Sequence, residues 1–210
     1  MVWRGLFVAG AVLIMAGGPQ HPGGTMLQML QDPKWMISHA LMTAGFVSLA
    51  AALFVMRREM TGAPRIAAAM RFALPATMLQ TIEFFIHTIA SVDAANLAAG
   101  SATPVLTTHL WMSLVMYPIW AAAMIPLVIA GMRDRAFGSM WIGWLGIAGL
   151  LAHGFSTPLV LGFGVEWARI LFPLMLLFAL WMLAAGLWPI ARASAAPSPQ
   201  AGPATGRLHS

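Results

Sequence analysis

The hydrophobic positions of this chain fall into six long runs, which are separated by short polar or glycine-rich stretches. Each run reaches or approaches the roughly 20 apolar residues that a helix needs to cross ~30 Å of hydrocarbon. The runs cover residues 3–18, 34–56, 66–90, 104–131, 138–161 and 167–190. This pattern predicts an all-α integral membrane protein, a six-transmembrane-helix bundle.

Two of the helix starts can be located from their flanking residues. Asp32 precedes Pro33 and Thr103 precedes Pro104, and each pair is an N-cap residue followed by a proline suited to the first turn. The first hydrophobic run is short and also has features of a signal peptide. Because Pro19 directly follows it and disfavours cleavage there, we predict a retained helix.

The distribution of basic residues predicts which helix ends face the cytoplasm. Only Lys34 and Arg169 map to one side of the six-helix topology, and the other side carries Arg4, Arg57, Arg58, Arg65, Arg71, Arg133, Arg135, Arg192 and Arg207. Basic residues are enriched on the cytoplasmic side of membrane proteins. We therefore predict a multi-pass protein of the cell inner (cytoplasmic) membrane, with both termini cytoplasmic and the loops at 18–33, 91–103 and 162–166 outside.

Composition narrows the class further. The chain is 60% hydrophobic and 8% charged, whereas soluble domains carry about 25% charged residues. The lipid bilayer is thus the expected partner, and because the Arg residues lie in short loops we expect no nucleic-acid binding. The absence of Cys excludes disulfides and thiolate metal sites.

Residues 1–192 should form one transmembrane domain, and 193–210, rich in Ala, Pro and Ser, a disordered cytoplasmic tail.

Four histidines and one glutamate lie inside the predicted membrane helices. Ionisable side chains are costly in hydrocarbon and are functional-site candidates there. His39 and His109 lie one to two turns after their helix starts, and His87 and His153 lie near the outer ends of theirs. All four should therefore form one layer in the outer half of the membrane. Glu83 lies one turn from His87 on the same helix face.

The spacing of these histidines also suggests an internal repeat. Helices 2 and 3 carry His39 near the start and His87 near the end, and helices 4 and 5 carry His109 and His153 in the same way. Parallel repeats about the membrane normal are a known architecture. We therefore expect helices 2–3 and 4–5 to form related pairs, although Glu83 has no counterpart in the second pair.

Imidazoles combined with a carboxylate are typical ligands of transition metals. The sequence predicts a site for Zn, Cu or Fe with Glu83 as catalytic general base. Its predicted metal ligands are His39, His87, His109 and His153.

A haem b held by two of these histidines is the alternative cofactor. Gly45 and Gly154 would then be cofactor-binding positions, because they leave room for a flat macrocycle beside the backbone. His21, in the first outer loop, would act as a lid over either centre.

These features predict redox or metal-dependent chemistry, with haem electron transfer among its forms, and leave open whether the chain is an enzyme. A redox partner or other membrane subunits would be its partners. Two alternatives use the same residues differently. The His/Glu cluster could move small ions, protons or metals across the membrane, or the chain could be a non-catalytic membrane subunit of a larger complex.

Overall fold

The computed structural model describes residues 2–188, and this range is all-helical, with no strand. The predicted tail at 193–210 lies outside the described residues. The α-helices in chain order are α1 (Val2–Gly17), α2 (Met26–Gln31), α3 (Lys34–Glu59), α4 (Pro64–Ile89), α5 (Ala94–Ala98), α6 (Pro104–Arg133), α7 (Met140–Thr157), α8 (Leu171–Leu174) and α9 (Leu176–Leu187).

Within residues 2–188, five helical segments are long and apolar enough to cross a membrane. This indicates a multi-pass membrane protein. The segments are Val2–Gln20, Lys34–Glu59, Pro104–Arg133, Met140–Gly162 and Glu166–Leu187. The remaining predicted span corresponds to α4, which is 26 residues long but less apolar, since it carries Gln80, Glu83 and His87.

Both helix starts that the sequence predicts are present, but their caps differ. Before α3, Oδ1 of Asp32 accepts a hydrogen bond from the backbone N–H of Lys34 at 2.8 Å. Before α6, the Thr103 side chain caps no backbone group. The Asp93 carboxylate replaces it and accepts the backbone N–H of Leu106 at 2.9 Å, so the connection between α4 and α6 folds back onto the start of α6.

The sixth hydrophobic run does not form one continuous helix. It begins as a 3₁₀ segment, Glu166–Ile170, continues as α8, and is interrupted at Met175 before α9. Pro173 accounts for a break in this region, because a proline removes one backbone donor and clashes with the preceding turn. The end of α7 is also irregular, since the helix continues as a π-helical turn at Pro158–Gly162.

The six principal helices form a closed ring. In order around it, α1 packs on α3, α3 on α4, α4 on α6, α6 on α7, α7 on α9, and α9 back on α1. The ring encloses one large apolar core, which includes Phe7, Leu49, Met56, Leu127 and Trp181.

The two ends of the ring differ in chemistry. The end with the connections at 18–33 and 91–103, called the loop end below, is covered by the short helices α2 and α5, which contact each other. A second apolar cluster lies under them and contains Leu30, Trp35, Ala90 and Leu106. The opposite end, called the arginine end, carries Arg57, Arg58, Arg65, Arg133 and Arg135.

Candidate metal centre

Three histidine rings stack on one another near the loop end. The ring centroids of His39 and His87 are 4.0 Å apart, and those of His87 and His109 are 3.7 Å apart. The three residues come from α3, α4 and α6, which are consecutive in the helix ring. The structure therefore brings together three of the four predicted ligands.

A fourth imidazole, that of His21, joins this stack from the connection between α1 and α2. Its ring centroid lies 4.8 Å from that of His39. Partial burial of the ring lowers the pKa of His21 from its ordinary value, which favours the neutral form that binds metals. The residue predicted as a lid therefore lies beside the rings of His39 and His87.

Backbone carbonyls fix the tautomers of two of these rings. Nδ1 of His39 lies 2.6 Å from the carbonyl oxygen of Trp35, and Nδ1 of His21 lies 2.8 Å from that of Pro22. A carbonyl oxygen can only accept, so Nδ1 carries the proton in both rings and Nε2 keeps its lone pair. This is the orientation in which metal-binding histidines are commonly held.

Glu83 is fully buried and pairs with the third ring of the stack. Its Oε1 accepts a hydrogen bond from Nδ1 of His109 at 2.7 Å, and its Oε2 accepts one from Nε2 of Gln80 at 3.0 Å. Because both carboxylate oxygens are engaged, this geometry favours Glu83 as a group that orients His109. A role as general base, predicted from the sequence, would require one of these bonds to open.

Two sets of ligand atoms lie close enough to hold an ion. His21, His39 and His87 each offer one atom within 4.8 Å of the other two, and Glu83, His87 and His109 do the same. His87 belongs to both sets. Its Nδ1 atom is buried without a hydrogen-bond partner among the described residues, as is Nε2 of His39.

His153 does not join this group. Its ring stacks on Tyr117 with a centroid separation of 4.1 Å and meets the edge of Trp120 at 5.1 Å. It belongs to neither ligand set within residues 2–188, so the structure does not place it with the other three predicted ligands. The side chains therefore do not follow the predicted repeat, because His109 stacks with His87 and not with His153.

Gly45 and Gly154, predicted as cofactor-binding positions, lie where neighbouring helices pack closely. A Cβ at Gly45 would lie 2.6 Å from Cγ1 of Ile14 and 2.9 Å from the carbonyl oxygen of Gly10, both on α1. A Cβ at Gly154 would lie 2.7 Å from Cβ of Ala121 on α6. The space that each glycine leaves is filled by a neighbouring helix, so no macrocycle fits there.

A cavity of about 770 Å³ lies beside the imidazoles. Three parts of its lining carry polar or ionisable side chains. His21, His87 and His109 line it on the side of the stack, Tyr117 and His153 form a second polar wall, and Arg169 contributes a third. The candidate metal centre thus faces a space large enough for an organic molecule.

Sequence reasoning missed three residues that shape the centre. The backbone carbonyl of Trp35 accepts a hydrogen bond from Nδ1 of His39, and the ring N–H of Trp35 donates one to the carbonyl of His87 at 3.2 Å. Gln80 holds Glu83 from one turn away. Helical spacing could have indicated both, since Trp35 lies four residues before His39 and Gln80 three before Glu83. Tyr117 has no such signal, because it approaches His153 from another helix.

Comparison of the chain with known protein families, with curated proteins and with solved structures found no match.

Proposed function

We propose that this protein holds a transition-metal ion among the imidazoles of its loop end and uses it in metal-dependent or redox chemistry. The proposed ligands are the histidines of the two sets that share His87, namely His21, His39, His87 and His109. Imidazole suits Zn, Cu and Fe, and Glu83 would orient His109 as the partner of a ligand. Chemistry would take place at the side of the ion that faces the cavity.

The observation that carries this proposal is the pair of unpartnered nitrogens in the stack. Nε2 of His39 and Nδ1 of His87 are buried without hydrogen-bond partners among the described residues. Buried polar side-chain atoms nearly always have partners, and leaving one without costs about 1–3 kcal/mol. An ion bound to both nitrogens would remove this cost.

The same stack favours a single ion over haem b. The two axial histidines of a haem lie on opposite faces of the macrocycle. Here the rings of His39, His87 and His109 contact one another directly, which leaves no slot for a macrocycle between them. Gly45 and Gly154, the positions that could have made room, are packed against helices.

We further propose six spans, with α4 as the additional one, in a cytoplasmic (inner) membrane. Beyond Arg71, which is exposed, the polar residues that lower the apolarity of α4 include Thr77, Gln80 and Glu83, which are fully buried. From Phe72 onward, its large exposed side chains are apolar: Phe72, Met78, Leu79, Ile82 and Phe85. An apolar outer surface suits lipid. The arginine end would be cytoplasmic, with both chain termini on that side.

The distribution of buried polar groups argues against the transporter alternative. In the described range, these groups lie from the middle of the bundle to the loop end: Ser38, His39, Thr77, Gln80, Glu83, Asp93, His109, Ser113, His153, Ser156 and Thr157. On α4, every buried residue between Pro64 and Leu74 is apolar. A path for ions or protons would need polar groups across the whole membrane.

Metal analysis of the purified full chain tests the proposal. The protein in lipid nanodiscs, loaded with Zn, Cu or Fe and passed through a desalting column, should retain about one ion per chain. His39→Ala should lose it, and His153→Leu, the matched control outside the ligand set, should keep it. Absence of retained metal in the wild type, or full retention in His39→Ala, would overturn the proposal. A Soret band would replace it with haem.

A further inference from the structure

The cavity beside the candidate metal centre has a lining that specifies a class of ligand. Its volume of about 770 Å³ falls in the range of sites for small organic molecules. Its opening is at the loop end, where the exposed residues Gly23, Gly24 and Thr25 line it together with Arg169. The cavity is therefore much larger than an ion alone requires.

Most of the lining is apolar and adaptable. Four methionines contribute to it, together with aromatic and aliphatic side chains: Met26, Met29, Met42 and Met175. Methionine side chains are flexible and fit ligands of irregular shape. Such a surface favours a ligand with an extended apolar body.

The lining offers little to an anionic ligand. Among the described residues, Arg169 is the one Lys or Arg side chain in the lining, and its Nε lies 2.6 Å from Oε2 of Glu166. The positive charge is thus already paired on the exposed rim. A neutral ligand is favoured because it needs no counter-charge.

One wall of the cavity has an unused polar group. His153 and Tyr117 both line the cavity and are stacked on each other. His153 is almost completely buried, and its Nε2 has no hydrogen-bond partner among the described residues. Buried polar groups without partners are rare, and a small turn of the ring towards the cavity would let an oxygen-bearing head group become its partner.

We propose that the cavity binds a neutral, membrane-soluble molecule with an apolar body and one hydroxyl or carbonyl head group, held by His153 and Tyr117. Its head group lies next to His87 and His109, which line the same cavity. That the head group would also face a metal ion depends on the proposed function. Binding in the cavity does not require the ion.

Photolabelling of the full chain in nanodiscs tests the proposal. The probe is decanol with a diazirine in its alkyl chain, and the reference probe is the matching decane without the hydroxyl. Labelling by the alcohol should saturate, map to cavity-lining peptides, and be competed by unlabelled decanol. The alkane should label about fivefold less strongly at equal concentration, because it lacks one buried hydrogen bond.

Three variants locate the binding. His153→Leu should abolish the preference for the alcohol, and His153→Gln, which keeps a hydrogen-bonding group, should retain it. Met29→Trp should block labelling by filling the cavity. Met36→Trp, at an exposed position of α3 that does not line the cavity, is the matched control and should label normally.

The outcomes separate this inference from the proposed function. Labelling that does not saturate, or that is equal for alcohol and alkane, overturns the inference even if metal is retained. A preference for the alcohol that persists in His153→Leu also overturns it. Saturable labelling in the metal-free His39→Ala variant supports the cavity site. Saturable labelling of a wild type that retains no metal supports the cavity site while contradicting the metal centre.

Discussion

Replacing Glu83 by glutamine tests whether the buried carboxylate serves the metal centre. The amide is nearly isosteric, and its oxygen can still accept the N–H of His109. Its NH₂ group needs an acceptor, and Oε1 of Gln80 is buried without a partner among the described residues. A flip of the Gln80 amide would present that oxygen to the new NH₂ group. We therefore expect Glu83→Gln to fold.

The expected magnitudes follow from the bonds that Glu83 makes. Exchanging a charged hydrogen bond of about 1.5–3 kcal/mol for a neutral one of about 0.5–1.5 kcal/mol lowers the free energy of unfolding by about 1–1.5 kcal/mol. Loss of a carboxylate that orients a metal-binding histidine lowers metal affinity about 10–100-fold. If Glu83 were itself a ligand, the ion would be lost.

The assay is a chelator competition on the protein in nanodiscs, read as retained metal, with thermal unfolding measured on the same samples. Glu59→Gln, an identical substitution at the exposed end of α3, is the control and should change neither value. Metal affinity equal to the wild type in Glu83→Gln would refute the reasoning, because it would mean that the Glu83–His109 pair does not contribute to the centre.

Two further predictions concern the membrane and the packing. Because the chain has no Cys, single cysteines at the exposed positions Thr61 and Asn96 can be labelled on intact cells with an impermeant maleimide. Only Asn96→Cys should react. Labelling of Thr61→Cys alone would mean that the topology is the inverse of the one proposed. Gly45→Ala should lower the free energy of unfolding by about 1–3 kcal/mol, since its Cβ meets α1. Gly62→Ala, where the space is open, should leave it within about 0.5 kcal/mol, and equal thermal stability of the two variants would contradict the packing argument.

The helices were accessible to prediction because hydrophobic runs and capping residues are local signals. Helix α6 begins at Pro104 as predicted, whereas α3 begins at Lys34, one residue after the predicted first helical residue, Pro33. The break at Met175 was not, because a proline in a membrane helix can kink it or interrupt it, and the neighbouring helices decide which. The short helices α2 and α5 were also missed, since they depend on contact with each other.

For the site, the sequence predicted the depth of each histidine along its helix better than the direction in which its ring points. Helical rise places His109 and His153 near the same end of the bundle, and both are found there. The direction in which each ring points depends on how the helix is rotated against its neighbours. This rotation turns His109 towards Glu83 and His153 towards Tyr117. His21 lies in a loop, where no periodicity applies, so its approach to His39 had no signal in the sequence.

The confinement of buried polar groups to the loop-end half has a consequence for how the protein matures. An ion reaching the imidazoles from the arginine end would have to cross a layer that includes Leu49, Met56, Ile66 and Leu127, all buried and apolar. Hydrocarbon of this kind is a high barrier to a charged species. The proposed ion would therefore be delivered by the compartment that faces the loop end, after the chain has entered the membrane. The metal supply of that compartment, and not of the one where the chain is made, would then decide which ion the protein carries.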